Sequence, residues 1–384
     1  MQGQSGLINK ESDVNFDFSD EQKALKDEAR KFLAAKCPPD RVRKLMEEGS
    51  SGHDADLWAA IIEQGWTGAA VPEEHGGLGL GYLELCCIAE ELGRAVAPTP
   101  FASSVYFFAE SVLLAGSDAQ KAAYLPKIVS GEAIGTMASS EKVGPVTAES
   151  IEAEVSGGKL SGVKVPVMDG MVATHAVVLA KEGGKPGLFI VDLSADGVSR
   201  EQLRMMDASR GAAKVTFSNV PAERLGEAGE GITLFDAVND RAAVLLAFEQ
   251  VGGADMCLEM GREYALNRFA FGRPIGGYQA IKHKLADMYC KNTLARGNAY
   301  YGAWALNTNA SELPIAAAGA RVSASDAYWN AAKENVQVHG GMGFTWEVDC
   351  HLHYRRSQQV GLVAGSARVW KEKLVSRIER RNAA

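Results

Sequence analysis

Apolar residues recur at helical spacing through the first third of the chain. Ser19 stands three residues before Gln22 at the start of this region, an arrangement typical of a helix that begins with a capping box. Farther along, Trp58, Ile61 and Ile62 lie three to four positions apart and define one face of a helix. We therefore predict an all-helical domain over residues 1–131.

The spacing of apolar residues changes between positions 132 and 226. Glycine-rich turns here separate short runs of alternating or β-branched residues, which occupy positions 151–155, 176–179, 188–191 and 214–217. Short runs of this kind, punctuated by Gly-Gly pairs, predict a compact β domain.

Helical spacing returns after residue 226, in four long segments at positions 232–267, 278–307, 313–338 and 346–381. Amphipathic helices joined by short links pack as an antiparallel bundle. The predicted fold class is α+β, with a helical domain at 1–131, a β domain at 132–226 and a four-helix bundle at 227–384.

Length and composition agree with two or three globular domains. The chain has 384 residues, of which 46% are hydrophobic and 23% charged, and its net charge of −8 argues against nucleic acid as the main partner. No apolar stretch is long enough for a membrane span, and the N-terminus lacks the basic and apolar regions of an export signal. We therefore predict a cytoplasmic protein.

Several common catalytic motifs are absent from the sequence. The glycine-rich residues 76–81 lack the GxGxxG spacing and the preceding strand of a dinucleotide-binding loop, and there is no P-loop, GxSxG or HExxH. His351 and His353 lie two residues apart in a helical segment and so point to different sides. We expect no metal site.

Two glycine-containing breaks interrupt the bundle segments, RFAFGRPIG at 268–276 and QVHGGMGFTWE at 337–347. Arginines beside free N–H groups at helix ends can hold an anion, and exposed glycines allow a ligand to approach the backbone closely. Each segment alone is equally compatible with a plain interhelical turn.

Taken together, these two segments, PEEHGGLGLG at 72–81 and the order of the domains resemble the acyl-CoA dehydrogenase flavoproteins over nearly the whole chain. The resemblance implies FAD between the β domain and the bundle. It also implies that Arg268, Gln337 and the backbone of Gly340 and Gly341 reach the pyrophosphate and ADP part of a neighbouring subunit's FAD, and that Phe271 also binds the cofactor. The implied assembly is a homodimer, a homotetramer or a heterotetramer.

The reaction that the resemblance implies is α,β-dehydrogenation of an acyl-CoA thioester. A carboxylate removes the α-proton while the β-hydrogen leaves as hydride to the flavin, and an electron-transfer flavoprotein then reoxidises the flavin. Because the α-proton is weakly acidic, the site must present a desolvated base and stabilise the developing enolate.

The usual base of the family is missing from its usual place. Most members carry it as the Glu of an EGT triplet, but this chain has Ala364, Gly365 and Ser366 there. The resemblance implies that the backbone N–H of Ala364 still binds the thioester oxygen and that Ser366 keeps the hydroxyl of the usual Thr at the cofactor.

Other members place the base just before an arginine on the first bundle helix, where this chain has Asp240 and Arg241. The resemblance therefore makes Asp240 a candidate base and Arg241 a candidate substrate-binding residue. Burial among the apolar residues 242–248 should raise the pKa of Asp240, and Arg241 should lower it if it turns inward. The alternative is that Asp240 pairs with Arg241 or caps a polar edge.

The β domain also departs from the family. Ser140 stands where many members have a flavin-binding threonine, and Pro166 and Met168 replace a Trp that covers the flavin and a Thr that donates to it. These two changes weaken the flavin site that the resemblance implies.

The segments 343–347 and 351–356 are similar to those of bacterial members that act on bulky, steroid-type CoA thioesters, some of which combine two different subunits. Three hypotheses follow. The chain is a dehydrogenase, as a homo-oligomer or as one subunit of a heteromer; it is a non-catalytic scaffold that completes a partner's FAD site; or it catalyses another reaction on a CoA thioester.

Overall fold

The N-terminal part of the chain is helical, as predicted. The computed structural model describes residues 18–49 and 53–383. Up to residue 129, the described residues form a π-helical segment at Ala102–Ala109 and six α-helices. The α-helices are α1 (Asp20–Lys36), α2 (Pro39–Glu47), α3 (Ala55–Glu63), α4 (Tyr82–Arg94), α5 (Glu110–Ala115) and α6 (Asp118–Val129).

Helix α1 begins with the predicted capping box. The Ser19 hydroxyl accepts a hydrogen bond from the Gln22 N–H at 3.2 Å, and the Gln22 side-chain oxygen accepts one from the Ser19 N–H at 2.9 Å. Two N–H groups that a helix start leaves without partners are thereby satisfied.

Replacing Ser19 with Ala is expected to lower the free energy of unfolding by about 1 kcal/mol, because the first turn of α1 loses its side-chain acceptor. Urea unfolding measures this loss. Ser376→Ala is the matched control, since the Ser376 hydroxyl donates to a carbonyl of its own helix, that of Glu372. A loss for Ser19→Ala no larger than that of the control would contradict the capping role.

The central region is a single sheet with strands in the order β6-β7-β3-β2-β4-β5-β8, and β1 pairs in parallel with β4. The strands are β1 (Gly135–Ala138), β2 (Glu154–Ser156), β3 (Lys159–Met168), β4 (His175–Glu182), β5 (Lys185–Asp192), β6 (Val198–Gln202), β7 (Ala212–Pro221) and β8 (Glu223–Leu225). The predicted β region is confirmed, although the run at 151–155 becomes a strand only from Glu154.

Long helices form the C-terminal part. They are α7 (Gly231–Asn267), α8 (Gln279–Asn307) and α9 (Leu313–His339), followed by α10 (Gly341–Phe344), α11 (Cys350–Val360) and α12 (Ala367–Ala383). A short hairpin, β9 (Phe269–Ala270) and β10 (Arg273–Pro274), joins α7 to α8.

The predicted single helix at 346–381 is wrong. The structure has two helices there, α11 and α12, joined by a turn at residues 361–366. In this turn Ala364 has a φ of 61° and Gly365 a φ of 109°. A right-handed helix cannot continue through residues in these conformations.

One apolar core joins the N-terminal helices to the bundle. Leu85 and Ile88 of α4 belong to the same buried cluster as Val244 and Phe248 of α7. A second cluster lies within the sheet. In the ranges that the structure describes, none of the helices combines the length and apolar character that crossing a membrane requires.

Candidate active site

The two glycine-containing breaks lie at the same end of the bundle. Helix α7 ends just before one break and α9 just before the other, and the rings of Tyr264 and His339 near these ends stack with their centroids 4.1 Å apart. The two segments start at residues 268 and 337, which are 69 positions apart in the sequence. The folded chain brings them together.

The residues predicted to bind FAD are open on this surface. Arg268 and Gln337 are exposed, and Phe271 is 97% exposed with a φ of 51°. Gly340 and Gly341 are also exposed, and a side chain added at either would meet no atom within 4 Å. A guanidinium, an amide and bare backbone are thus available together to a molecule that approaches from outside the chain.

This donor set fits the diphosphate part of FAD. Arginine makes strong forked hydrogen bonds to phosphate oxygens, and exposed glycine lets a phosphate reach the peptide groups without a steric barrier. Because all five residues face outward, a flavin that they hold is accessible to a second subunit.

The β-domain residues predicted to face the flavin ring offer fewer polar groups. Ser140 is half-buried, and its carbonyl accepts the Val165 N–H at 2.8 Å. Pro166 is exposed, while Met168 is half-buried and uses its carbonyl to accept the Thr136 hydroxyl at 2.7 Å. Pro and Met side chains cannot donate a hydrogen bond. Of these three predicted residues, Ser140 is therefore the one whose side chain can donate to a flavin.

A buried ion pair that the sequence analysis missed fixes this face of the sheet. Lys164 of β3 is fully buried, and its ammonium donates to Glu141 at 2.6 Å and to the Ser139 carbonyl at 3.2 Å. Burial lowers the pKa of Lys164. The pair connects β3 to the segment that carries Ser140. In the sequence, the one sign of it is a lysine at position 164 between the apolar residues of β3.

The turn at residues 361–366 presents the predicted N–H donor. Ala364 is half-buried, and its carbonyl accepts the indole N–H of Trp370 at 3.1 Å. Among the residues that the structure describes, none accepts a hydrogen bond from the Ala364 N–H. Ser366 closes the turn, and its carbonyl accepts the Trp370 N–H at 3.1 Å.

Asp240 is a buried carboxyl group held by α12. It is 4% exposed, and its two oxygens accept from the two terminal nitrogens of Arg377, each at 2.9 Å. Burial raises the pKa of Asp240 to about 6, against the opposing charges of Arg377 and Lys373. A carboxyl group in this state exchanges a proton near neutral pH.

This raised pKa predicts a pH dependence of stability. Between the unfolded-state pKa near 4 and the folded-state pKa of about 6, the folded chain binds more protons at Asp240 than the unfolded chain does. The stability of wild type relative to Asp240→Asn is therefore expected to fall as the pH rises through this interval, and to level off above it. Urea unfolding of both proteins at pH 4 to 7 measures the difference. If the relative stability of wild type rises with pH instead, Arg377 lowers the pKa of Asp240 by more than burial raises it.

Arg241 faces away from Asp240. Its guanidinium lies 3.1 Å from Glu110, donates to Asn309 at 2.7 Å and approaches the Tyr82 hydroxyl at 3.3 Å. Consecutive residues of a helix point about 100° apart, which explains the separation. The alternative in which Asp240 pairs with Arg241 is wrong: the partner of Asp240 is Arg377. Burial also raises the pKa of Glu110.

Helix α12 connects Asp240 to the Ala364 turn. Trp370 and Arg377 lie about two turns apart on one face of this helix, with the guanidinium 6.0 Å from the indole ring. Trp370 contacts the Ala364 carbonyl and Arg377 contacts Asp240, so the predicted base and the predicted donor flank the same pair of side chains. Neither Trp370 nor Arg377 was a sequence candidate.

The histidines considered for a metal have other contacts. His353 is buried against the Tyr328 hydroxyl at 3.0 Å, and burial lowers its pKa to about 3. His351 lies beside the ring of Trp346. Across the described ranges, no three His, Cys, Asp or Glu side chains are grouped in a way that could hold a metal ion.

Comparison with known proteins gives the family. The model of the acyl-CoA dehydrogenase N-terminal domain matches residues 19–132, and the model of the acyl-CoA dehydrogenase C-terminal domain matches residues 229–378. Among curated proteins, acyl-CoA dehydrogenase IpdE2 of Mycobacterium tuberculosis is 30% identical over 94% of this chain and 98% of its own length.

Solved structures agree. A variant of the steroid acyl-CoA dehydrogenase Tcur3481–Tcur3483 is 31% identical with a TM-score of 0.87, covering 95% of this chain and 99% of that one. The ChsE4–ChsE5 complex from Mycobacterium tuberculosis is 26% identical with a TM-score of 0.86, covering 96% and 99%. With both family models matched and relatives similar along nearly their whole length, this chain belongs to the acyl-CoA dehydrogenase family of FAD-binding oxidoreductases, which act on the CH–CH bond of acyl-CoA.

Proposed function

We propose that this chain is a subunit of a dehydrogenase that introduces an α,β double bond into a bulky, steroid-type CoA thioester, with Asp240 as its base. The observation that carries the proposal is the buried carboxyl group of Asp240, connected through α12 to a turn in which no described residue accepts the Ala364 N–H. The steroid acyl-CoA dehydrogenase similar to this chain supports the substrate class.

Asp240 supplies the base. Its pKa of about 6 leaves most of the group ionised at pH 7, and its burial keeps water away from the carboxylate. Arg377 donates one hydrogen bond to each oxygen, and each carboxylate oxygen keeps a second lone pair that can take the α-proton. Arg377 then stays bonded and keeps the carboxyl group in place.

Ala364 supplies the donor for the thioester oxygen. Negative charge develops on this oxygen as the α-proton leaves, and a fixed N–H in a desolvated site stabilises such charge strongly. FAD, when bound, accepts the β-hydrogen as hydride. We propose an electron-transfer flavoprotein as the acceptor that regenerates the flavin.

The bundle end carries the assembly part of the proposal. Arg268, Gln337 and the Gly340 and Gly341 backbone are exposed and fit a diphosphate that a neighbouring subunit contributes. Because Pro166 and Met168 offer no hydrogen-bond donor to a flavin ring, we propose a different chain as the neighbour. The two-chain ChsE4–ChsE5 complex supports this arrangement.

The substrate class is tested by comparing CoA thioesters. The purified assembly is given a ring-bearing steroid side-chain CoA thioester or butyryl-CoA, with an artificial electron acceptor, and kcat/KM is measured for each. We expect kcat/KM for the ring-bearing substrate to be at least about tenfold larger than kcat/KM for butyryl-CoA. Equal values, or a preference for butyryl-CoA, would contradict the bulky substrate.

A second candidate function is a scaffold that completes a partner's FAD site without its own chemistry. The observation that favours it is the hold of Arg377 on both oxygens of Asp240 together with Pro166 and Met168 at the flavin face. Co-purification with the natural partner and the visible spectrum separate the two. One FAD per pair of chains, with activity that survives Asp240→Asn, supports the scaffold.

A further inference from the structure

A buried arginine lies behind the Ala364 turn. Arg321 of α9 is 1% exposed, and in the described part of the chain no carboxylate forms an ion pair with it. One terminal nitrogen donates to the Gln250 side chain, and the other donates to the carbonyls of Val360 and Val363, the latter at 2.7 Å. Burial lowers the pKa of Arg321 to about 10 although the charge of Glu249 raises it, and burying a guanidinium without a carboxylate in direct contact is unfavourable.

The contact with Val363 fixes the direction of the Ala364 N–H. The Val363 carbonyl and the Ala364 N–H belong to the same planar trans peptide and point in opposite directions. Arg321 holds the carbonyl from inside the bundle. The N–H must therefore point away from Arg321, and no described residue accepts it.

This orientation has to be held against strain. Ala364 has a φ of 61°, a conformation that costs a residue with a side chain roughly 1–2 kcal/mol. Arg321 holds the peptide before Ala364, and the Trp370 indole holds the peptide after it. With both peptides fixed, the turn keeps a conformation that a free chain would leave.

The charge of Arg321 also strengthens the donor. A cation on a carbonyl oxygen polarises the amide, and hydrogen bonds that share one amide reinforce each other in a medium of low dielectric constant. The positive charge lies on the far side of the same peptide from any oxygen that the N–H binds, so it also favours negative charge there.

We propose that Arg321 is the positioning residue that aims and polarises the Ala364 N–H toward the thioester oxygen of the acyl-CoA. The inference deepens the proposed function and rests on it. Arg321 touches neither substrate nor cofactor; it acts through the peptide between Val363 and Ala364.

The test measures charge on the bound thioester rather than turnover. A 3-oxoacyl-CoA loses its α-proton to form an enolate whose near-ultraviolet absorbance is followed by pH titration in the purified assembly. Wild type should lower the pKa of the bound ligand below that of the free ligand. Arg321→Gln, which keeps an amide NH2 donor without the charge, should raise the bound pKa by at least one unit over wild type, a tenfold loss of enolate.

Two further variants keep the test sharp. Arg321→Lys keeps the charge but lacks the forked N–H donors of the guanidinium. Its pKa for the bound ligand should lie between those of wild type and Arg321→Gln. Ser323→Ala is the matched control on the same helix, because the Ser323 hydroxyl donates to carbonyls of its own helix, those of Gly319 and Ala320. It should leave the bound pKa unchanged. Thermal melting and retained FAD establish that each variant is folded.

The outcomes separate this inference from the proposed function. If wild type does not lower the pKa of the bound ligand, the thioester site itself fails and the inference fails with it. If wild type lowers it and a folded Arg321→Gln lowers it equally, only the role of Arg321 is overturned.

Discussion

Asp240→Asn is expected to abolish reduction of the flavin by an acyl-CoA while leaving FAD bound. Asn keeps the shape of Asp but cannot accept the α-proton. General-base catalysis contributes roughly 10²- to 10⁴-fold to such steps, so the rate of flavin bleaching should fall by about a thousandfold. Stopped-flow absorbance under anaerobic conditions measures this rate directly.

The control for this variant lies one turn earlier on α7. Asp236 forms an ion pair with Lys373 at 2.7 Å, and its side chain is 43% exposed. Asp236→Asn removes the same charge beside the same α12 face but leaves the Asp240–Arg377 pair intact. It should bleach at close to the wild-type rate. Wild-type bleaching by Asp240→Asn would mean that the base comes from elsewhere, most simply from a partner subunit.

Arg268→Ala should weaken FAD binding by about tenfold to a hundredfold. The change removes charge-assisted hydrogen bonds to phosphate, worth roughly 1.5–3 kcal/mol each. Flavin content after gel filtration and a titration of the apoprotein assembly with FAD both report the loss. The exposure of Arg268 on the bundle end predicts little accompanying loss of stability.

A second arginine of the same connection provides the control for Arg268→Ala. The Arg273 guanidinium stacks 4.0 Å over the Tyr278 ring, so its position is explained without a ligand. Arg273→Ala should leave the FAD affinity within about twofold of wild type. An equal loss in both variants would point to a disturbed hairpin, and an unchanged affinity in Arg268→Ala would remove the cofactor role of that residue.

Features encoded locally could be predicted from the sequence. The capping box at Ser19 needs only the two residues that form it, and the helical and β regions follow from their apolar spacing. The break within residues 346–381 was missed, although Gly361 and Gly365 flanked it. Helical spacing continues across so short a turn, and the pattern alone does not show that Ala364 takes a left-handed conformation.

Contacts between distant residues could not be predicted. Asp240 and Arg377 lie 137 positions apart, and only the folded bundle, in which α12 packs on α9, brings them together. Arg241, the sequence neighbour, turns instead to Glu110 because successive helix residues diverge. Arg321 is the first charged residue of the alanine-rich helix α9, and its carbonyl partners appear only once the turn is folded.

The most direct test of the dehydrogenase is the balance of a single turnover. The oxidised assembly is mixed anaerobically with less than one equivalent of a ring-bearing CoA thioester, and the flavin spectrum and the mass of the thioester are recorded on the same sample. Dehydrogenation should give one product lighter by two hydrogens for each flavin reduced. A product of altered mass with the flavin still oxidised, or a reduced flavin with unchanged thioester, would contradict dehydrogenation as the function of this chain.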